Sequence, residues 1–179
     1  MAHREQDLHQ PGGALTSASG APRHADLIAA FYAAFKQRDH ATMAACYTPD
    51  ATFRDPVFGE LAGWRIGAMW RMLCERASDL EISVSGIEAD AERGLAHWEA
   101  KYPFTGTGRR VHNRIDAFFR FRDGRFVRHD DKFSLSTWAG QALGWQGVLL
   151  GWSPPVQNAI RRRAADGLDA FIRKNGLTP

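Results

Sequence analysis

The sequence has few cysteines and none of the cysteine patterns that hold small secreted or metal-binding proteins together. Its two cysteines, Cys46 and Cys74, lie in helical patterns, without a C-x-x-C pair or a Cys/His cluster. This usage favours reduced, structural thiols in a cytoplasmic protein over a disulfide framework or a zinc finger. We expect neither a metal nor a cofactor.

Long apolar runs and strong charge of one sign are also missing. No stretch reaches about 18 apolar residues, so we expect no membrane span. No basic segment followed by an apolar run indicates a signal peptide. A net charge of +3 is too small to predict a nucleic-acid partner, and the basic run at 161–163 is typical of a solvated helix face.

What remains is a chain of 179 residues, the length of one domain with one core. Residues 1–22 are rich in Gly, Ser, Ala, Pro and Gln without any period, which predicts a disordered tail. Residues 23–138 carry the periodic patterns of a folded domain. Residues 139–179 predict a helical extension packed on that same domain.

Apolar spacing predicts the secondary structure. Helices are predicted at 24–38, 40–47, 63–77, 135–151 and 154–174. A strand is predicted at 51–55, a loop at 57–62, and four strands between residues 80 and 133, the last two joined by an Asp-Gly hairpin turn. Helices segregated to one side of an antiparallel sheet make an α+β domain.

The strand at 51–55 places a carboxylate on an apolar face. Because side chains alternate along a strand, Asp55 shares its face with Ala51 and Phe53. Two interpretations are open. Asp55 precedes Pro56 and could cap a turn, or it could end the strand at the wall of a cavity.

Alternation puts further polar side chains on apolar strand faces. The candidate catalytic residues are Asp55, His129 and Asp131. The candidate substrate-binding residues are Asn113, Tyr102, Trp98, Phe53, Phe119, Phe121 and Trp70. A carboxylate desolvated by aromatic rings becomes more basic, and two carboxylates near an imidazole can divide acid and base roles. The Asn113 amide and the Tyr102 hydroxyl could hold a developing oxyanion.

Structural interpretations of these residues stay open beside the catalytic one. His129 could be a hydrogen-bonded core residue, and Trp98 and Tyr102 could be core residues as well. Asp131 could be a strand-end charge or an ion-pair partner of Arg128 or Lys132.

Two segments carry a resemblance to a known family. The run "DATFRDPVFGELAG" after two helices, preceded by Tyr47, and the closing hairpin at 119–138 resemble the nuclear transport factor 2-like superfamily. The resemblance is to its SnoaL-like and ketosteroid-isomerase-like branch and covers about 24–138. It implies a cone-shaped domain in which a curved antiparallel sheet wraps around the N-terminal helices. It also implies a homodimer through the outer sheet face that carries His112, Arg114, Asp116, Phe118 and Arg120.

The resemblance assigns Asp55 to the general base of the steroid isomerases. Their two oxyanion donors align with Phe31 and Ala117, which cannot donate. Tyr32 lies about 100° around the helix from Phe31, and Asp116 is on the opposite sheet face from Ala117. Both are therefore expected outside the site.

A second branch, the limonene-epoxide hydrolases, places its water-activating Asp at Asp131. The partners of that Asp align with 98–100, which lack the Arg-x-Asp pattern. The Arg-x-Asp pattern occurs instead at 114–116, one strand later.

Two functions follow from these observations. The first is a cofactor-independent enzyme that performs isomerisation, cyclisation or water addition on a small apolar or polycyclic substrate. The second is a non-catalytic domain of the same fold that binds a small apolar molecule or dimerises.

The segment 138–152 is rich in Trp and Gly. Trp138, Trp145 and Trp152 recur every seven residues, which would place them on one face of a single helix. Its four glycines weaken a helix and permit close approach or movement. The segment could be a core helix that closes the cone, a lid over a pocket, or a dimer surface.

Overall fold

The computed structural model describes residues 21–179, with side chains from residue 23 onward. The predicted tail at 1–22 lies outside the described residues, except for its last two, which begin the first helix. In chain order the elements are α1 (Ala21–Lys36), α2 (His40–Ala45), β1 (Tyr47–Asp55), β2 (Gly59–Ala62), α3 (Trp64–Arg76), β3 (Glu81–Ala89), β4 (Arg93–Pro103), β5 (Arg110–Arg122), β6 (Arg125–Lys132), α4 (Leu135–Leu143), α5 (Trp145–Leu150) and α6 (Pro154–Lys174). Within 21–179, every helix is too short or too polar to cross a bilayer.

The six strands form one curved, unclosed sheet in the order β2-β1-β6-β5-β4-β3. The α+β class is therefore confirmed. Neighbouring strands are antiparallel with one exception, since β1 and β6 run parallel. The prediction of a fully antiparallel sheet was wrong in this detail, because β1 and β6 are separated in the chain by α3 and four other strands and are not joined by a hairpin.

Three local predictions were wrong, and glycines account for two of them. The predicted loop at 57–62 contains the short strand β2. The first residue of this strand, Gly59, has a φ of 70°. The predicted helix at 135–151 is two helices, because Gly144 has a φ of 71° between them. The strand predicted from residue 51 already begins at Tyr47, so α2 is shorter than expected.

The core lies between the sheet and the helices. The α1 helix buries Ile28, Phe31, Tyr32 and Phe35, and these meet the buried face of α3 and the inner faces of the strands. Leu168 and Phe171 of α6 belong to this same core. A smaller cluster forms where α4 covers Val111 of β5. Both cysteines are buried free thiols, as predicted.

Candidate functional site

His129 lies at the centre of the core, fully buried. It is on β6, directly beside Phe53 of β1 and Phe119 of β5. The ring of Phe119 lies 4.4 Å from the imidazole between centroids, and the ring of Phe53 lies at 5.1 Å. Phe31 and Trp70 complete the enclosure at 5.7 and 6.2 Å. A polar ring in such surroundings must be hydrogen-bonded to be stable.

A chain of hydrogen bonds satisfies this requirement. The Trp70 indole donates to the Tyr47 hydroxyl (3.0 Å), which bonds His129 Nδ1 at 2.7 Å. His129 Nε2 bonds Asp131 Oδ1 at 3.0 Å, and the Trp98 indole donates to the same oxygen at 3.2 Å. A carboxylate only accepts, so Nε2 carries the proton and Tyr47 donates to Nδ1. We call these five residues the buried polar chain.

Asp55 lies beside the end of this chain. Arg54 and Asp130 are paired in the parallel β1–β6 register, so Asp55 and Asp131 are the next neighbours along the two strands. Asp55 Oδ1 accepts backbone N–H groups of Val57 (2.9 Å) and Phe58. The turn-capping interpretation is therefore geometrically correct.

The surroundings of Asp55 disfavour the charged form of its carboxyl. Burial raises the pKa of its carboxyl to about 7, and the negative charge of Asp131 adds to the increase. The N–H groups of the turn, led by Phe58, oppose the shift and lower the pKa only in part. A carboxylate of this pKa exchanges a proton readily near neutral pH.

Two tyrosine hydroxyls lie within electrostatic range of the carboxylates. Tyr102 accepts the Trp138 indole N–H at 2.8 Å, and its pKa is raised by burial and by the charge of Asp55. The hydroxyl of Tyr32 is buried and has no hydrogen-bond partner within residues 21–179. Burial raises the pKa of Tyr32, and the charge of Asp131 raises it further. Each hydroxyl is a donor that a bound ligand could use.

The structure brings together most of the predicted site residues. Phe53, Trp70, Trp98 and Phe119 surround or belong to the buried polar chain, and Tyr102 is near Asp55. Asn113 is half-buried on the inner face of β5, opposite Ala100. His129 is enclosed on all sides, so it can reach a ligand only through Asp131.

Phe121 is the predicted residue that the structure does not place with Asp55. Its ring stacks on His24 at 3.9 Å between centroids, and it pairs with Phe126 near the hairpin end of β6. The register shift lies in β6, where Val127 is the extra residue, so Phe121 keeps the regular alternation of β5 and lies at its hairpin end. Alternation locates the face of a side chain but not its distance from Asp55.

Two residues of the site were missed from the sequence. Tyr32 was expected to point away from the interior, and this was wrong, because α1 buries a face wide enough for both Phe31 and Tyr32. The signal was present: Ile28, Phe31, Tyr32 and Phe35 follow the i, i+3, i+4, i+7 pattern of one helix face. Tyr47 was assigned to a helix end, whereas it begins β1. Asp116 is exposed on the outer face with His97, as expected.

Surface cavities of about 280 and 650 Å³ lie on the described part of the chain, and Asp55 and Asp131 line neither of these two. The expectation that these carboxylates share one open cavity stays a prediction. Among residues 21–179, no three His, Cys, Asp or Glu side chains are grouped in a way that could hold a metal ion.

The sequence profile of the SnoaL-like domain matches residues 28–129, more than half of the chain. The chain belongs to the SnoaL-like domain family. The resemblance drawn from the Asp-Ala-Thr and Asp-Pro run is thereby confirmed. A comparison with curated proteins finds no significant match.

Solved structures share the fold of this SnoaL-like domain. An LEH-like epoxide hydrolase from M. tuberculosis is 21% identical, with a TM-score of 0.58 over 72% of this chain and 94% of that one. A candidate polyketide cyclase from Silicibacter is 25% identical, with a TM-score of 0.57 over 66% and 93% of the two chains. Another candidate polyketide cyclase, from Xanthomonas campestris, is 21% identical, with a TM-score of 0.56 over 69% and 99%.

Proposed function

We propose that this SnoaL-like domain is a cofactor-independent enzyme that performs acid–base chemistry on a small apolar or polycyclic substrate. The reaction class is isomerisation, cyclisation or water addition. The observation that carries the proposal is Asp55, a half-buried carboxylate whose pKa desolvation raises to about 7 and which neighbours the buried carboxylate of Asp131. Paired carboxylates in different surroundings can take different protonation states.

The roles follow from the hydrogen bonds. The turn N–H groups hold Asp55 through Oδ1, and the oriented carboxylate accepts a proton from substrate or water. His129 and Trp98 fix Asp131, so it is already oriented. The unpartnered Tyr32 hydroxyl is the best donor to a developing oxyanion. Tyr102 accepts from Trp138 and keeps its own proton to donate.

The structural neighbours support the choice of substrate class. An epoxide hydrolase and two candidate polyketide cyclases act, by their descriptions, on small organic molecules. The aromatic side chains around Asp55 favour a largely apolar substrate here.

The alternative is a binding domain without catalysis. The observation that favours it is the tight aromatic enclosure of the buried polar chain, with neither cavity opening onto Asp55. In that case the polar chain serves only to satisfy buried hydrogen-bonding groups.

A thermal-shift screen of steroids, polyketides and epoxides, followed by turnover assays on the hits, separates the two functions. We expect a hit to raise the melting temperature, since ligand binding stabilises the folded state. Turnover of that hit should rise with pH through about 7, because the base form of Asp55 dominates above its pKa. Hits that stabilise without turnover, or a rate that stays flat across this range, would favour the binding domain.

We also propose a homodimer through the outer face of β4 and β5. Polar side chains on this face already pair with one another, as in His97–Asp116 (2.9 Å) and His112–Glu99 (2.6 Å). Leu95 and Phe118 are exposed and directly opposite each other across the two strands. Such a patch suits burial against its own copy.

Light scattering at high micromolar concentration should give about twice the chain mass of 20.0 kDa. Phe118→Glu should shift the particle toward the monomer, because a charge would be buried in the interface. A wild-type particle mass of 20.0 kDa would contradict the proposed homodimer.

A further inference from the structure

The α5 helix turns its large apolar side chains outward. Five side chains are more than half exposed: Trp145 (71%), Val148 (68%), Leu149 (59%), Leu150 (51%) and Trp152 (69%). We call them the apolar tip. A concentration of large exposed apolar groups on one short segment marks an interaction site more often than scattered ones do.

Glycines fix this orientation. A Cβ atom at Gly147 would lie 1.9 Å from the backbone oxygen of Ala139, so the two helices meet there backbone to backbone. On the α4 side of the contact, Gly140 lies against Val148. A Cβ atom at Gly140 would lie 3.2 Å from the Val148 side chain. The α5 helix therefore buries Gly147 against α4 and cannot rotate to bury Trp145. A helix that only closed the core would show the opposite arrangement.

Arginines lie beside the tip, and the segment that carries it, residues 133–165, contains no Asp or Glu. A cavity of about 650 Å³ lies beside the tip and is lined by Arg109, Arg110, Ser136, Thr137, Val148 and Trp152. The Arg109 side chain is held there by the Gln141 carbonyl at 3.0 Å. The nearby carboxylate is Glu81, 3.9 Å from Arg110, and both of these side chains are exposed.

We propose that the apolar tip and this cavity form a docking surface for an anionic phospholipid bilayer. The lining of the cavity combines cations and hydroxyls with the apolar side chains of Val148 and Trp152, a combination that suits a lipid phosphate and the start of its acyl chains. Tryptophans prefer the membrane–water interface, and arginines near an anionic surface strengthen binding. Docking of this kind needs no membrane-spanning helix, and it would deliver apolar molecules close to the domain.

Vesicle co-sedimentation of the full chain tests the proposal. The chain should bind vesicles of phosphatidylcholine with phosphatidylglycerol, and bind those of phosphatidylcholine alone more weakly, with added salt reducing the difference. Trp145→Glu should weaken binding about tenfold or more, since it puts a carboxylate where a tryptophan inserts. Arg109→Gln should weaken it about fivefold, the effect of one cation near such a surface.

Trp64→Glu is the matched control, because Trp64 is also an exposed tryptophan, at the start of α3. It should bind vesicles as the wild type does, and Leu149→Glu should repeat the effect of Trp145→Glu. No binding, equal binding to both kinds of vesicle, or Trp64→Glu as weak as Trp145→Glu would overturn the proposal. So would a fall in particle mass caused by Trp145→Glu, which would assign the apolar tip to a second copy of the chain.

Discussion

Replacing His129 with Ala should lower the free energy of unfolding by about 3–5 kcal/mol. The imidazole is fully enclosed by aromatic rings, so its removal leaves a cavity that rigid neighbours cannot fill. It also leaves the Tyr47 hydroxyl without its acceptor, and it removes one of the two side-chain donors to Asp131, so that the Trp98 indole remains. A buried charge deprived of its partner is among the costliest defects in a protein interior. The loss is a large part of the roughly 5–15 kcal/mol that stabilises a domain.

His97→Ala is the matched control. His97 also bonds an aspartate, Asp116 at 2.9 Å, but on the exposed outer face of the sheet. Exposed pairs of this kind contribute about 0–1 kcal/mol. Urea denaturation of both variants measures the difference. Equal losses would show that the buried polar chain is not what holds this part of the core.

The second large effect concerns Asp55. The stability of Asp55 variants distinguishes a desolvated carboxylate from a residue that only caps a turn. Asp55→Asn keeps an oxygen that can accept the N–H groups of Val57 and Phe58, and it removes a carboxyl that burial disfavours when charged. The variant should therefore be at least as stable as the wild type. Asp55→Ala loses the acceptor and should cost about 0.5–2 kcal/mol, by analogy with lost helix caps.

The advantage of Asp55→Asn should grow with pH. The folded protein holds the Asp55 proton up to about 7, whereas the unfolded carboxyl releases it near pH 4. Between these values the unfolded state binds fewer protons, so the wild type loses stability as pH rises, and the neutral amide does not. Denaturation of both proteins at pH 4 and pH 8 gives the comparison. If the stability difference between Asp55→Asn and the wild type were the same at pH 4 and pH 8, the Asp55 carboxyl would not be desolvated.

Alternation along strands predicted much of the site because it is a local property. Asp55, His129 and Asp131 all lie on the inner face of the sheet, where the period of two placed them. The outer-face position of Arg114 and Asp116 followed from the same rule. The family resemblance supplied the curved sheet, which no local pattern contains.

What the sequence did not reveal depends on contacts between distant residues. The parallel pairing of β1 with β6, which makes Asp55 a neighbour of Asp131, joins segments more than seventy residues apart. The hydrogen bond from Tyr47 to His129 spans a similar separation. The break at Gly144 rests on a single backbone angle, and a helical pattern on both sides of it hides that angle.

The central claim is that Asp55 acts as a general base, and turnover of Asp55→Asn at pH 8 tests it most directly. The substrate would be the best hit of the screen, and the rate would be expressed per folded molecule. General-base catalysis contributes about 10²–10⁴-fold to a rate. We therefore expect the well-folded Asp55→Asn protein to retain no more than about one hundredth of the wild-type rate. Full activity in that protein would contradict the claim.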